Sequence, residues 1–212
     1  MMQRLNLIIF GPPGAGKDTQ VEKILEHFNT DPIETGAIIR DLVKSDTQIA
    51  RQIKDTIARG DLVNDSIMEA IIKDRLKKVS AQSGLIMDGY PRTIKQAETF
   101  NLLLTFMDRK LDYVVFLDVP EDVLVSRLSQ RKICSICGKT AFPQEENCSS
   151  CGGALEKRID DNLESIKKRI INYNEKTAPI INFYRKRGLL LHIDGNKSPD
   201  EVTKEIFEGL KS

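Results

Sequence analysis

Gly11-Pro12-Pro13-Gly14-Ala15-Gly16-Lys17-Asp18-Thr19-Gln20 follows directly on the apolar run Leu5-Asn6-Leu7-Ile8-Ile9-Phe10 and leads into a stretch patterned as a helix from near Asp18. A strand, a glycine-rich turn, a lysine and a helix in that order build an anion cradle. The glycines let the backbone aim several N–H groups at one anion, and the helix adds the positive end of its dipole. Lys17 supplies charge for the outer phosphates of a nucleoside triphosphate. The stretch departs from the pattern G-x-x-x-x-G-K-[ST] at one place, since Asp18 follows the lysine and the hydroxyl arrives one residue late, at Thr19. A turn whose glycines serve only the backbone is the plain alternative, and the ordered succession of parts argues against it.

Around this loop the chain alternates. Short β-rich runs recur at Leu5 to Phe10, Gly84 to Met87, Tyr113 to Val119 and Leu189 to Ile193, with a shorter fifth at Pro32 to Glu34. Long polar, helix-patterned stretches separate them. This predicts an α/β fold, a doubly wound parallel five-stranded sheet flanked by helices, with functional groups gathered at the carboxyl ends of the strands. Two segments interrupt the alternation. Glu34 to Val63 reads as helices over Ala37 to Lys44 and Thr47 to Arg59, stopping at Gly60, with Thr35-Gly36 as the turn before them. Lys132 to Asp161 is rich in Cys, Gly and Ser and has no long apolar period.

The composition bounds the function classes. With 212 residues, 40% hydrophobic and 30% charged, the chain suits one substantial soluble core. A formal net charge of +1 gives no global attraction to nucleic acid or membrane. The run from Met1 into the first strand leaves no room for a secretory leader, and no segment is long and apolar enough to span a bilayer. These features predict a cytoplasmic protein with neither nucleic-acid nor membrane partners. No separate apolar interaction segment is visible, which makes a monomer the default expectation.

Asp88-Gly89-Tyr90-Pro91-Arg92 follows the strand at Gly84 to Met87, so Asp88 stands at a strand's carboxyl end facing the same crevice as the loop. An acid there can hold Mg²⁺, often through its waters. Gly89 permits the sharp exit, Pro91 stiffens it, and Arg92 can clamp a phosphate in bidentate fashion. Alone, the segment reads as a turn with a surface arginine.

Taken together, GPPGAGKDTQ at 11 to 20, Thr35-Gly36 with Arg40, MDGYPRTIKQA at 87 to 97 and RIDD at 158 to 161 resemble, in order and spacing, the adenylate kinases among the nucleoside monophosphate kinases. The resemblance runs along essentially the whole chain, and that family also carries its threonine at the position of Thr19. It implies a P-loop core over residues 1–33, 64–130 and 162–212, an AMP-binding insertion at 34–63 and a lid over ATP at 131–161. It implies the reaction as well: reversible phosphoryl transfer from Mg-ATP to AMP, giving two ADP.

By the same resemblance, AMP is bound by Thr35, Arg40, the backbone of Asp61, Leu62 and Val63, then Gly89, Tyr90, Pro91, Arg92 and Gln96, with Arg158 and Arg169 reaching its phosphate. Thr35 and Gln96 would read the adenine edge. ATP is bound by Gly14, Ala15, Gly16, Lys17, Asp18 and Thr19, with Arg127 and Arg131, Thr140 and Ala141, and Lys197. Arg127 matches a position against the adenine; Lys197, in Asp194-Gly195-Asn196-Lys197, also reads as an ordinary turn residue. Lys17, Arg131, Arg158 and Arg169 would converge on the migrating phosphoryl group, Arg40 and Arg92 on the acceptor side, and Asp88 would hold Mg²⁺. Phosphoryl transfer spreads charge over equatorial oxygens, which fixed cations must meet. Asp160-Asp161 matches the family's paired lid acids, which pair with core arginines on closure. Acids at a helix start give a second reading, and the two are compatible.

All four cysteines form two knuckles, Cys134-Ser-Ile-Cys137-Gly and Cys148-Ser-Ser-Cys151-Gly. Paired C-x-x-C-G knuckles point to a tetrahedral four-thiolate zinc site, with free or redox thiols as the alternative. Neither His27 nor His192 lies in the segment. Four sulfurs leave no open position for water, so the metal is structural and folds an insertion too small for its own core. Adenylate kinases with zinc-bearing lids show the same arrangement.

The chain departs from the family pattern at Asp18, where glycine is usual, at Glu34 and Ala37, where Ser and Asp are common, and at Thr140-Ala141, where a Thr-Tyr pair contacts ATP. Phe142 is the one aromatic available to substitute. Two other functions remain in view. A UMP/CMP kinase is opposed by Thr35, Gln96 and the zinc-type lid; a P-loop binding protein gripping RNA or a partner through its knuckles is opposed by the mixed charge and few aromatics around the cysteines.

Overall fold

The computed structural model describes residues 3–141, 144–158 and 160–210. Five strands, β1 (Asn6–Phe10), β2 (Thr30–Glu34), β3 (Gly84–Asp88), β4 (Tyr113–Asp118) and β8 (Leu190–Asp194), form one sheet in the order β2-β3-β1-β4-β8. Every pairing in it is parallel. β1 lies at the centre, β3 on one side and β4 on the other. The crevice beyond its carboxyl end is the switch point where doubly wound sheets bind ligands.

Period-2 alternation in the strands separates two cores. Ile8 and Phe10 of β1 join Leu85, Met87, Val114 and Phe116 on one face. That face is covered by α4 (Asp65–Leu76), α5 (Ile94–Phe106) and α8 (Pro179–Arg185), through residues such as Ile72, Phe100 and Tyr184. Leu7 and Ile9 turn the other way with Ile86, Val115 and Leu117, beneath α1 (Lys17–His27), α6 (Glu121–Gln130) and α9 (Pro199–Gly209). The central strands β1, β3 and β4, buried on both faces, read as continuous apolar runs, which is why they were visible in the sequence.

The first interrupting segment departs from its predicted boundaries. α2 spans Thr35–Leu42 and α3 spans Gln48–Ala58. Thr35 and Gly36 are therefore the first two residues of α2 and not a turn before it, with Glu34 as the extended N-cap. Thr35 is completely buried and its hydroxyl donates to the Asp88 carbonyl at 3.0 Å, which fixes the helix start against β3. The helix stops before Lys44 because the amides of Lys44 and Ser45 fold back onto the carbonyls of Asp41 and Leu42 as a tight turn.

The cysteine-bearing segment has more regular structure than its composition suggested. β5 (Lys132–Cys134) pairs antiparallel with β6 (Thr140–Ala141) and with β7 (Leu155–Glu156). Strands of two or three residues carry too little periodicity to be read from sequence. α7 (Leu163–Asn172) then begins with Asn162 as its cap, so Asp160 and Asp161 lie before the helix and not at its start. A π turn over Tyr173–Thr177 links α7 to α8. Pro179 at the start of α8 has no N–H to return to the preceding turn, and the Ala178 amide instead reaches five residues back to the Tyr173 carbonyl at 2.8 Å.

Candidate functional site

The carboxyl ends of β1 and β3 open onto a cleft of ≈ 1200 Å³, and every candidate nucleotide-site residue named above lines it. The phosphate loop forms its floor. Gly14 sits at φ 84 and its Cα stands against Leu128 of α6, where an added Cβ would come within 3.0 Å; a side chain there would push the loop off its helix. Ala15 packs into the core below, while Lys17 folds back so that its Nζ donates to the carbonyls of Gly11 (3.1 Å) and Pro12 (3.0 Å). Burial lowers the Lys17 pKa, and Asp88 and Asp18 beside it oppose the shift.

Asp88 ends β3 and is buried, with Oδ1 lacking any hydrogen-bond partner among the described residues. Burial pushes its carboxyl up to about 6, with Lys17 opposing and the acids Asp18 and Glu34 reinforcing. A buried carboxylate oxygen with no partner beside a phosphate loop fits a hard cation or its water shell. After it the backbone turns sharply: Gly89 has φ 78, and a Cβ there would meet the Thr35 hydroxyl at 2.5 Å. The Tyr90–Pro91 peptide is cis. Arg92 is held at three points. Its Nε donates to the Gly89 carbonyl (2.7 Å), its amide to Gln96 Oε1 (2.7 Å), and its carbonyl accepts from Thr177 Oγ1 (3.1 Å).

Gln96 uses its other amide atom as well, Nε2 donating to Asp65 Oδ1 at 2.5 Å, so in this state both ends of the side chain are engaged. Thr35 likewise spends its proton on Asp88. Arg40 of α2 lays its guanidinium over Gly36, with Nη1 3.1 Å from where a Cβ would stand, and burial lowers its pKa. Asp61 is tied to Lys168 of α7 at 2.9 Å and to Arg59 at 3.4 Å, and Leu62 and Val63 continue along the wall.

On the opposite wall three arginines meet two aspartates. Arg131 grips Asp161 through Nε (2.8 Å) and Nη2 (2.6 Å), and Arg169 Nη1 reaches the same carboxylate at 2.9 Å. Arg158 holds Asp160 through Nε (2.9 Å) and Nη2 (2.7 Å), with Arg169 at 3.2 Å. The Asp161 side chain is only 2% exposed. Although burial works against the charge, Arg169 and Arg158 hold the Asp160 carboxyl far below the ordinary carboxylate range. Burial among other cations brings Arg169 down to about 10. Arg127 donates to the Gly195 carbonyl at 3.2 Å, and Lys197 pairs with Glu205, both at the rim.

The departures from pattern are also in the cleft. The Thr140 hydroxyl donates to Asp18 Oδ2 at 2.8 Å, joining β6 to the first turn of α1. Ala141 is buried beside it, and Phe142 lies outside the described residues. Glu34 is pushed up by burial and by Asp18.

Away from the cleft, the four cysteine sulfurs lie within 4.8 Å of one another. Cys134 and Cys151 are 3.4 Å apart and Cys137 and Cys148 3.6 Å, close to the roughly 3.8 Å edge of a tetrahedron built on 2.3 Å zinc–sulfur bonds. The Cys137 amide points at Cys134 Sγ and draws that thiol down to about 6. This donor set fits a closed metal site.

Two cleft residues escaped the sequence reading. Asn172 Nδ2 donates to the Gly60 carbonyl at 2.9 Å across 112 residues of chain, and Thr177 holds Arg92. Both sit at a helix-to-π junction whose only sequence trace is Pro179. Among the described residues no helix is long and apolar enough to cross a membrane.

Residues 9–189 match a family model described as adenylate kinase. The chain is 41% identical to an adenylate kinase of Kosmotoga olearia over 98% of its own length and 100% of the relative's. It is 40% identical to one of Methanosarcina barkeri, covering 98% and 99%, and 39% identical to one of Archaeoglobus fulgidus, covering 98% and 100%.

Proposed function

The chain belongs to the adenylate kinase family, and from that premise we propose how its cleft divides the work of moving a phosphoryl group between ATP and AMP. The observation that carries the division is the gathering of Lys17 and six arginines, Arg40, Arg92, Arg127, Arg131, Arg158 and Arg169, in one cleft of a protein whose net charge is +1. Such a concentration of cations calls for a polyanion on each side.

The loop N–H groups, Lys17 and Thr19 bind the donor triphosphate, with Arg127, Thr140, Ala141 and Lys197 around the nucleoside. Arg40 and Arg92 hold the acceptor phosphate, while Thr35, Gln96 and the backbone at 61–63 receive its base. For Thr35 and Gln96 this means trading their present partners, Asp88 and Asp65, for the base edge. Arg131, Arg158 and Arg169 face the space between and neutralise charge as it builds on the equatorial oxygens. Holding both nucleotides in line supplies a further part of the acceleration.

Asp88 is the residue that holds Mg²⁺, directly or through water, supported by its orphaned oxygen. The ion supplies charge neutralisation and alignment of the donor phosphates when bound. Residues 34–63 act as the acceptor-side insertion and 131–161 as a lid whose four cysteines hold structural zinc. The chain works as a monomer, since its own residues complete both walls. Closure of the two insertions excludes water that would otherwise hydrolyse ATP.

ADP formation measured with AMP, UMP, CMP and GMP as acceptors tests the assignment. AMP is expected to be preferred; preference for a pyrimidine would overturn the acceptor-side reading.

A further inference from the structure

We infer that Asp18 is a positioning residue that latches the cysteine-bearing lid onto the phosphate loop. A glycine, usual at this point of the family pattern, has no side chain with which to do so. Asp18 is the second residue of α1, where the helix dipole favours a negative charge. Burial works against its ionised form, but Lys17 next to it and the Thr140 hydroxyl hold its pKa below the usual value. It therefore stands as a charged acceptor facing the lid, and the 2.8 Å bond from Thr140 is of the stronger, charge-assisted kind.

The register of the contact argues that it is built in. Successive lid residues, Lys139 and Thr140, meet acids one helical turn apart on α1: Lys139 reaches Glu22 at 3.1 Å while Thr140 reaches Asp18. Glu22 and Lys139 are half exposed, so that pair contributes little by itself and serves to align. Thr140 lies on β6, which pairs with β5 at Ile133, and β5 runs into Cys134. A hold on Thr140 is thus a hold on the metal knuckles.

The inference rests on reading residues 131–161 as a lid, and its test uses no nucleotide, so that its failure and a failure of the acceptor assay are separate results. Dyes on ketone side chains introduced at Ser150 and Lys204 would report the ratio of open to closed lid in zinc-loaded, nucleotide-free protein. Asp18→Gly and Thr140→Val are each expected to raise that ratio about tenfold, equivalent to about 1.4 kcal/mol. The double variant should open no further than either single one, because both remove the same bond. Asp18→Asn keeps an acceptor oxygen and should recover most of the closure. Unchanged ratios in both single variants, multiplying effects in the double variant, or an Asp18→Asn lid as open as that of Asp18→Gly would each overturn the latch.

Discussion

Asp88 carries a conflict between stability and chemistry that can be measured. Its carboxyl titrates near 6 in the folded chain against about 3.9 when unfolded. A folded-state pKa above the unfolded one means the contribution to stability is fully present below about pH 4 and is lost as pH rises through 6. The ionised form needed for a cation then costs about 3 kcal/mol at neutral pH. Asp88→Asn is therefore expected to melt about 5–10 °C higher than the parent at pH 7.5, with the gain vanishing by pH 4. Calorimetry across that range would show it, and equal melting at every pH would refute the assigned strain. In the parent, kcat/KM should fall below about pH 6 with the loss of one ionisation. Lys17 poses the opposite case, a buried cation whose Nζ donates to the carbonyls of Gly11 and Pro12. Lys17→Met should leave the circular dichroism spectrum unchanged and lower kcat by about 10³ or more. Turnover within tenfold of the parent would remove it from the phosphoryl path.

At the level of elements, the segment that carries the small sheet β6-β5-β7 has Cys134, Ala141 and Cys148 as its buried hydrophobic residues among those described, too little apolar surface to order some thirty residues by itself. The cysteine cluster has to supply the difference. Cys137→Ser, or removal of metal by a chelator, is expected to raise amide exchange in β5 and β6 by about 10² while β1 and β4 keep their protection. A metal assay of the purified chain should show one zinc per chain. Uniform exchange throughout the fold would mean the knuckles stabilise the core and not the insertion. This insertion also marks where sequence stopped being informative. The knuckles were legible because metal ligation needs fixed residue types at fixed spacing. The sheet was not, because its strands are two or three residues long and are ordered by the cluster and not by their own pattern. The same contrast holds in the core. β1 and the loop announce themselves through apolar continuity and glycine, and Arg92 through its place after a strand. One of the three contacts that hold Arg92, the hydroxyl of Thr177, lies 85 residues away on a π turn, and the partner of Asp18 lies 122 residues away. Contacts closed by tertiary folding leave no local signature.

Across the whole molecule, half of the cleft's six arginines, Arg131, Arg158 and Arg169, are paired with the chain's own aspartates. Asp160 and Asp161 stand among Arg131, Arg158 and Arg169 much as phosphate oxygens would, and they come from the segment proposed as the lid. A carboxylate buried with two guanidinium partners is costly to remove, because the cations left behind lose about 3–5 kcal/mol of compensation. Asp161→Asn should therefore lower the melting temperature of the nucleotide-free protein by about 5–15 °C. If the same guanidiniums bind phosphates, the deficit has to shrink when ATP and AMP are both present with Mg²⁺, since their oxygens then replace the missing charge. Affinity for a simple polyanion such as pyrophosphate should rise about tenfold in the variant, with a steeper loss in high salt than in the parent. Melting curves with and without ligand, and pyrophosphate titrations at two ionic strengths, measure both effects. A deficit that nucleotides leave untouched would mean that the aspartates clasp these arginines for structure alone and that the migrating phosphoryl group is met by other cations of the cleft.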